Sequence, residues 1–271
     1  MFKTPAPLCF EKRTLENAVC LVAAFRASQS EYFQFIYPLN NTLAPGSQNA
    51  VTPGSLFTTD LIKHLRAQGI IEAAPESDHE AFDWNENDMP ATFAIYKAIW
   101  QIAPVAGCDN SLVELLEAAF RKLDASSGIQ ILPLWRKIAL HECLEFLKLH
   151  LSKHGLPFKP GPKTKMVIED GLTTYSVSQI YNQIHRATKD AAAYYMEKSS
   201  TITVFQAANS VVWRIQKLIE YARVQKWDIT RYRRNFDCPR SEISRVLFDA
   251  VLKIGDAGFD EVPRELGPAV A

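Results

Sequence analysis

Residues 131–153, ILPLWRKIALHECLEFLKLHLSK, decide how the rest of the chain is read. Leu140, Leu144, Leu147 and Leu151 recur every three or four residues, which makes one apolar row on a helix. Trp135, Ile138, Phe146 and Leu149 are apolar on other faces. A helix that is apolar on more than one side belongs inside a bundle. This segment is therefore expected to be the spine of a mostly α, multi-helix fold. It also carries His141, Glu142, Cys143, Glu145, His150 and, one residue on, His154. His150 and His154 share a face. HECLE, however, has Glu where the zinc motif H-E-x-x-H needs its second histidine. No metal and no other cofactor is expected.

The neighbouring segments extend the helical reading in both directions. Upstream, Leu112, Leu115, Leu116, Ala119 and Leu123 give an amphipathic helix over 111–124, which pairs with the spine in a central helical pair at 106–158. Downstream, GLPFKPGPKTK at 155–165 is strong punctuation and lacks the spacing of a phosphate-binding loop. It opens a basic, Pro/Gly-rich connector at 159–174, in which MVIED reads as a short strand. Three amphipathic helices follow in a C-terminal unit at 175–271. Segment 176–197 has Val177, Ile180, Tyr181 and Ile184 on one face and Arg186, Lys189 and Asp190 on the other. Segment 203–226 has Val204, Ala208, Val211, Ile215 and Ile219, and segment 241–254 has Ile243, Val246, Leu247 and Ile254.

The N-terminal region, 1–105, is expected to begin with a helix from Thr14, a residue type suited to capping, through the aromatic run ending near residue 36. PATFAIYKAIWQI at 90–102 reads as another helix, with Pro90 in its first turn. Between them, SLFTTDLIKHLRAQGII gives a helix with Leu56, Leu61, Ile62 and Leu65 inward, stopped by Gly69. Ile70-Ile71 and Phe82–Trp84 then read as two short strands. Over 56–84 this order of helix and hairpin resembles a winged helix, a module whose helix can enter a DNA major groove. Seven acids lie between Glu72 and Asp88, with no Lys or Arg among them. Such a wing repels phosphate, so the hairpin is expected to pack or to contact protein. DWNENDMPATFA places Asp83, Asn85 and Asn87 as in a calcium loop, but it lacks the Gly and Glu that the loop requires.

Composition sets outer bounds on function. The chain has 271 residues, 47% hydrophobic and 22% charged, with 30 basic and 30 acidic residues. A balanced charge disfavours wholesale polyelectrolyte binding, so any anion site must be a local patch. Five widely spaced cysteines without a C-x-x-C pair fit a reducing cytosol. No apolar run approaches the length of a membrane span. The expected setting is cytoplasmic.

The local patch lies at 213–245, WRIQKLIEYARVQKWDITRYRRNFDCPRSEISR, with nine basic and four acidic residues. Ser210, Arg214, Lys217, Tyr221 and Gln225 make one row on the helix, with Arg223, Lys226 and Trp227 beside its end. Arg231, Tyr232, Arg233 and Arg234 follow on a loop, and Arg240 and Arg245 lie beyond it. Guanidinium groups fork onto phosphates, while rings stack on exposed bases. These residues are therefore the candidate surface for DNA or RNA, or for an acidic protein partner. A competing expectation pairs the arginines internally, with Asp228, Asp237, Glu242 or the acidic 72–88 segment. The expected function is that of a non-catalytic, nucleic-acid-associated accessory or regulatory protein. The alternatives are an adaptor subunit, using the acidic segment or the aromatic 32–37 run, and an enzyme centred on His141, Glu142 and Glu145.

Overall fold

The computed structural model of the chain describes residues 14–30, 34–40, 47–84, 90–103, 127–234 and 236–265. The fold is mostly α, with a three-stranded antiparallel sheet and a separate two-stranded one. Two compact units are present. One comprises Met1–Ile131, Pro239–Lys253 and Glu265–Ala271, and the other Leu132–Cys238 and Ile254–Arg264. The predicted helix at 111–124 and the calcium-loop positions Asn85 and Asn87 lie outside the described residues. No helix among the described residues is long and apolar enough to cross a membrane.

In the first unit, Thr14 caps α1 (Leu15–Ala27), its Oγ1 accepting from the Asn17 amide at 3.2 Å. The helix stops at Ala27, earlier than predicted, and Phe35–Ile36 forms strand β1 instead. Helix α1 is buried on nearly every side, with Val19, Ala23, Ala24 and Phe25 fully enclosed. Helix α2 (Ser55–Ala67) ends at Gly69 as predicted, the glycine taking φ +68°. Strands β2 (Ile71–Ala73) and β3 (Phe82–Trp84) also occur, but they do not form a hairpin with each other. Strand β2 pairs with β5 (Trp100–Ile102), and β3 pairs with β4 (Pro90–Phe93). The winged-helix resemblance is thus corrected at its hairpin.

The same pairings overturn the helix predicted at 90–102. Its apolar spacing fits a helix, yet Ala94–Ala98 makes only a single turn between two strands. Cross-strand partners decide the conformation here, including Ile36 opposite Trp100 and Glu72 opposite Gln101. Helix α7 (Glu242–Arg245) continues as a π-helical stretch over Val246–Val251 and packs on α1. Its Glu242 and Ile243 amides donate to the carbonyls of Ala50 and Val51. The helix expected at 241–254 is therefore grouped with the first unit.

The second unit is built on α3 (Ser127–Lys153), the expected spine. Trp135, Cys143, Phe146, Leu147 and Leu151 are fully enclosed, and Trp135 Nε1 donates to the Gly258 carbonyl at 3.1 Å. Helix α4 (Pro162–Leu172) replaces the strand predicted for MVIED. Pro162 sits in the first turn, where its missing N–H costs nothing, so it starts the helix instead of breaking the chain. Gly171 marks a close approach: a Cβ there would lie 2.8 Å from both Ile180 Cδ1 and Ile219 Cδ1. Helices α5 (Val177–Lys198) and α6 (Val204–Val224) each begin with a capping box, Ser176 with Gln179 and Thr203 with Gln206. They pack along each other, and α5 also meets the short α8 (Ala257–Asp260).

Candidate nucleic-acid interface

Helix α6 buries Ala208, Val211, Ile215, Ile219 and Ala222, which leaves its basic-aromatic row on the outer side. Lys217, Tyr221 and Gln225 are exposed, while Ser210 and Arg214 are half-buried and joined by a hydrogen bond from Arg214 Nε at 3.3 Å. Trp213, Tyr221 and Trp227 remain 54%, 51% and 49% exposed, an unusual amount of ring surface in water. These residues line a pocket of about 340 Å3. Helix α6 supplies Trp213, Arg214, Lys217, Leu218, Tyr221 and Ala222 to it, and Trp227 follows the helix end.

The other wall comes from α5, through Gln183, Arg186 and Asp190. At positions i, i+3 and i+7 these three share one helix face. Sequence reading had placed Arg186 and Asp190 on the polar face of α5 without connecting them to the basic stretch. Gln183 gave no signal in the sequence. Three cations, Arg186, Arg214 and Lys217, thus meet one carboxylate, Asp190, among three aromatic rings. The Lys217 ammonium lies 5.2 Å from the Trp213 ring centroid, and the Arg214 guanidinium 5.3 Å from that of Tyr194. Such contacts hold the long side chains over the rings while their charge stays wet.

The end of α6 fixes the pocket rim. The Trp227 amide donates to the Ala222 carbonyl and the Lys226 amide to that of Arg223, the pattern of a Schellman cap. The left-handed position of this cap is occupied by Lys226, at φ 52°, whereas α2 and α3 place Gly69 and Gly155 there. The cap swings Trp227 back against Tyr221, with ring centroids 5.0 Å apart at an interplanar angle of 87°.

The remaining cations of the stretch separate into two groups. Arg223 pairs with Asp170 at 2.7 Å, Arg240 with Asp249 at 2.8 Å and Arg245 with Glu242 at 2.8 Å. Arg240 and Arg245 belong to the first unit, whereas every residue lining the pocket belongs to the second. Arg234 is directed inward, its two terminal nitrogens reaching the two oxygens of Glu142 at 3.1 and 3.2 Å. Its guanidinium also lies 4.1 Å from the Phe259 ring centroid. Burial alone would lower the Arg234 pKa, but the Glu142 carboxylate, Tyr181 and Asp256 together hold it above the ordinary value. Lys226, Arg231 and Arg233 are exposed. Four of these cations are therefore paired internally, but only Arg245 uses an expected partner, Glu242; Arg223, Arg234 and Arg240 pair with Asp170, Glu142 and Asp249, which were not among those expected.

Tyr232 also points inward. Its amide donates to the Ser178 carbonyl at 2.9 Å, and its ring lies 5.4 Å from Phe146 and 5.1 Å from His185. His150 completes this cluster, 4.2 Å from Phe146 and 5.3 Å from His185. Burial, then His185, lowers its pKa to about 4. His150 is buried and His154 exposed, although their spacing puts both on one face of the helix. Among the described residues, no group of three or more His, Cys, Asp or Glu is placed to hold a metal ion. Glu142 is engaged by Arg234 and buried, and Glu145 is half-buried and pairs with Lys148 at 2.5 Å. Burial raises the Cys143 thiol well above its ordinary pKa, which makes it an inert core residue.

No family model, curated protein or solved structure matches this chain. The class of the site is therefore set by its own chemistry, that of a cationic, aromatic-walled groove on a helical pair.

Proposed function

We propose that this protein is a non-catalytic accessory or regulatory protein that binds single-stranded nucleic acid in the groove between α5 and α6. The observation that carries the reading is the meeting of Arg186, Arg214 and Lys217 with the exposed rings of Trp213, Tyr221 and Trp227 in one pocket. Cations that track a backbone beside rings that stack bases are the two components of single-strand binding. A duplex hides its base faces, so it can use only the cations. The pocket volume, about 340 Å3, lies at the small end of ligand sites and suits one nucleotide of a longer strand. Lys226 supports the reading as well, since it keeps a cation at the rim in a backbone conformation that favours glycine. The wide spacing of the five cysteines, without a C-x-x-C pair, supports the cytosol as its compartment.

The test is fluorescence anisotropy with a labelled 12-nucleotide strand and the same sequence as a duplex. The single strand is expected to bind more tightly, and Trp213→Ala and Trp227→Ala each to weaken it by roughly 5- to 100-fold. Equal affinity for the duplex, or full affinity in both tryptophan variants, would reject the proposal.

A protein-partner reading has one observation in its favour. Met196 and Phe205, at the facing ends of α5 and α6, are 80% and 61% exposed. Co-purification of a partner that survives nuclease and high salt, and is lost in Phe205→Ser, would support it. A monomer without such a partner would remove it.

A further inference from the structure

Gln183 is the groove residue whose polar group the fold leaves unsatisfied. It is 2% exposed, it lines the pocket, and its Oε1 accepts no hydrogen bond from the described residues. Buried polar atoms are nearly always paired, and an amide oxygen left without a donor weakens the fold that holds it. What is missing at Gln183 is a hydrogen-bond donor. Stacking on Trp213 and Trp227 needs no such acceptor, and neither does phosphate binding by Arg186 and Lys217, because phosphate itself only accepts.

A base edge can supply the donor. Adenine carries an exocyclic amine beside a ring-nitrogen acceptor, and a glutamine amide matches that pair with its oxygen and its NH2 group. Hypoxanthine has an oxygen in place of the amine, which would face Oε1 with a second acceptor. Gln183 and Arg186 are three residues apart on α5 and share a face. One helix therefore presents a base-edge acceptor and a phosphate donor side by side, opposite the rings of α6.

We propose that Gln183 makes this groove select adenine over 6-oxopurines, its Oε1 accepting a hydrogen bond from the exocyclic amine of a base stacked in the pocket. The proposal rests on the single-strand reading above and adds the identity of the base to it. The amine is common to adenine within a strand and to a free adenine nucleotide.

Single-stranded octamers of adenine, hypoxanthine or 6-unsubstituted purine, on the same backbone, test it by fluorescence anisotropy. Their rings are of similar size and differ at position 6. Wild-type protein is expected to bind the adenine octamer at least about tenfold more tightly than the hypoxanthine octamer, with the unsubstituted purine between them. In Gln183→Met, which removes the unsatisfied oxygen at similar volume, that ratio is expected to fall to within about twofold while hypoxanthine binding is retained. Equal wild-type affinity for the three octamers would overturn base selection and leave strand binding standing. Absence of binding to all three would overturn both. The wild-type comparison decides even if the variant does not fold. Competition by adenosine monophosphate but not by inosine monophosphate would support the same pairing for a free nucleotide, and equal competition by both would overturn it.

Discussion

Replacing Arg234 by Met tests whether this arginine belongs to the interior or to the binding surface. Glu142 has a side chain only 4% exposed, and both its oxygens accept from the Arg234 fork at 3.1 and 3.2 Å. Two charge-assisted bonds are lost in the variant, each worth roughly 1.5–3 kcal/mol. The carboxylate is meanwhile left in the interior without its guanidinium. Breaking one side of a buried pair in this way typically destabilises by about 3–5 kcal/mol. With a denaturant slope of roughly 2 kcal/mol per molar, the urea midpoint should fall by on the order of 1.5–2.5 M. The double variant Glu142→Leu/Arg234→Met removes both charges and is expected to recover a large part of that loss. Urea titrations followed by tryptophan fluorescence measure both. A single variant within about 0.5 kcal/mol of wild type would refute the buried-pair assignment, as would a double variant less stable than Arg234→Met.

Three further outcomes are expected. His150 has its folded pKa lowered from 6.5 to about 4 by burial and then by His185, with Lys153 and His154 adding to the effect and Asp237 opposing it. The unfolded histidine takes a proton below pH 6.5 that the folded one refuses until about 4, so stability should fall as pH drops through that window, by no more than about 3 kcal/mol. His150→Phe should flatten the profile of urea midpoints between pH 7.5 and 4.5, and an unchanged profile would contradict the assignment. Lys226→Gly relieves a lysine in the left-handed region, φ 52°, and should raise stability by about 1 kcal/mol, read as a higher urea midpoint; a lower midpoint would contradict the cap geometry. Arg231→Ala/Arg233→Ala should leave stability within about 0.5 kcal/mol of wild type, because both side chains are exposed; a large loss of stability would place them inside.

The long helices were legible because their apolar residues recur with the helical period over many turns. Thr14, Ser176 and Thr203 also sit where N-caps are needed. Short strands were less legible. PATFAIYKAIWQI satisfies the helical pattern locally, and only pairing with residues outside it, the nearby β3 at one end and the distant β1 and β2 at the other, makes its ends strands. Pro162 read as punctuation because proline both ends and begins helices, and the sequence alone does not choose between them.

At the site, the row Arg214, Lys217 and Tyr221 could be read from helical spacing alone. The run RYRR offered no periodicity to separate Tyr232 and Arg234, which turn inward, from Arg231 and Arg233, which do not. Gln183 could not be found at all, since a polar residue on an amphipathic helix gains meaning only when its neighbour helix closes over it.

The most direct test of the groove is the salt dependence of single-strand binding, in wild type and in Arg214→Ala/Lys217→Ala. Three groove cations, Arg186, Arg214 and Lys217, should give a slope of about −2 in log affinity against log salt for a single strand. The double variant should reduce that slope to roughly −0.7 and weaken binding at low salt. Absence of binding at low salt, or a slope unchanged in the double variant, would contradict a nucleic-acid groove between α5 and α6.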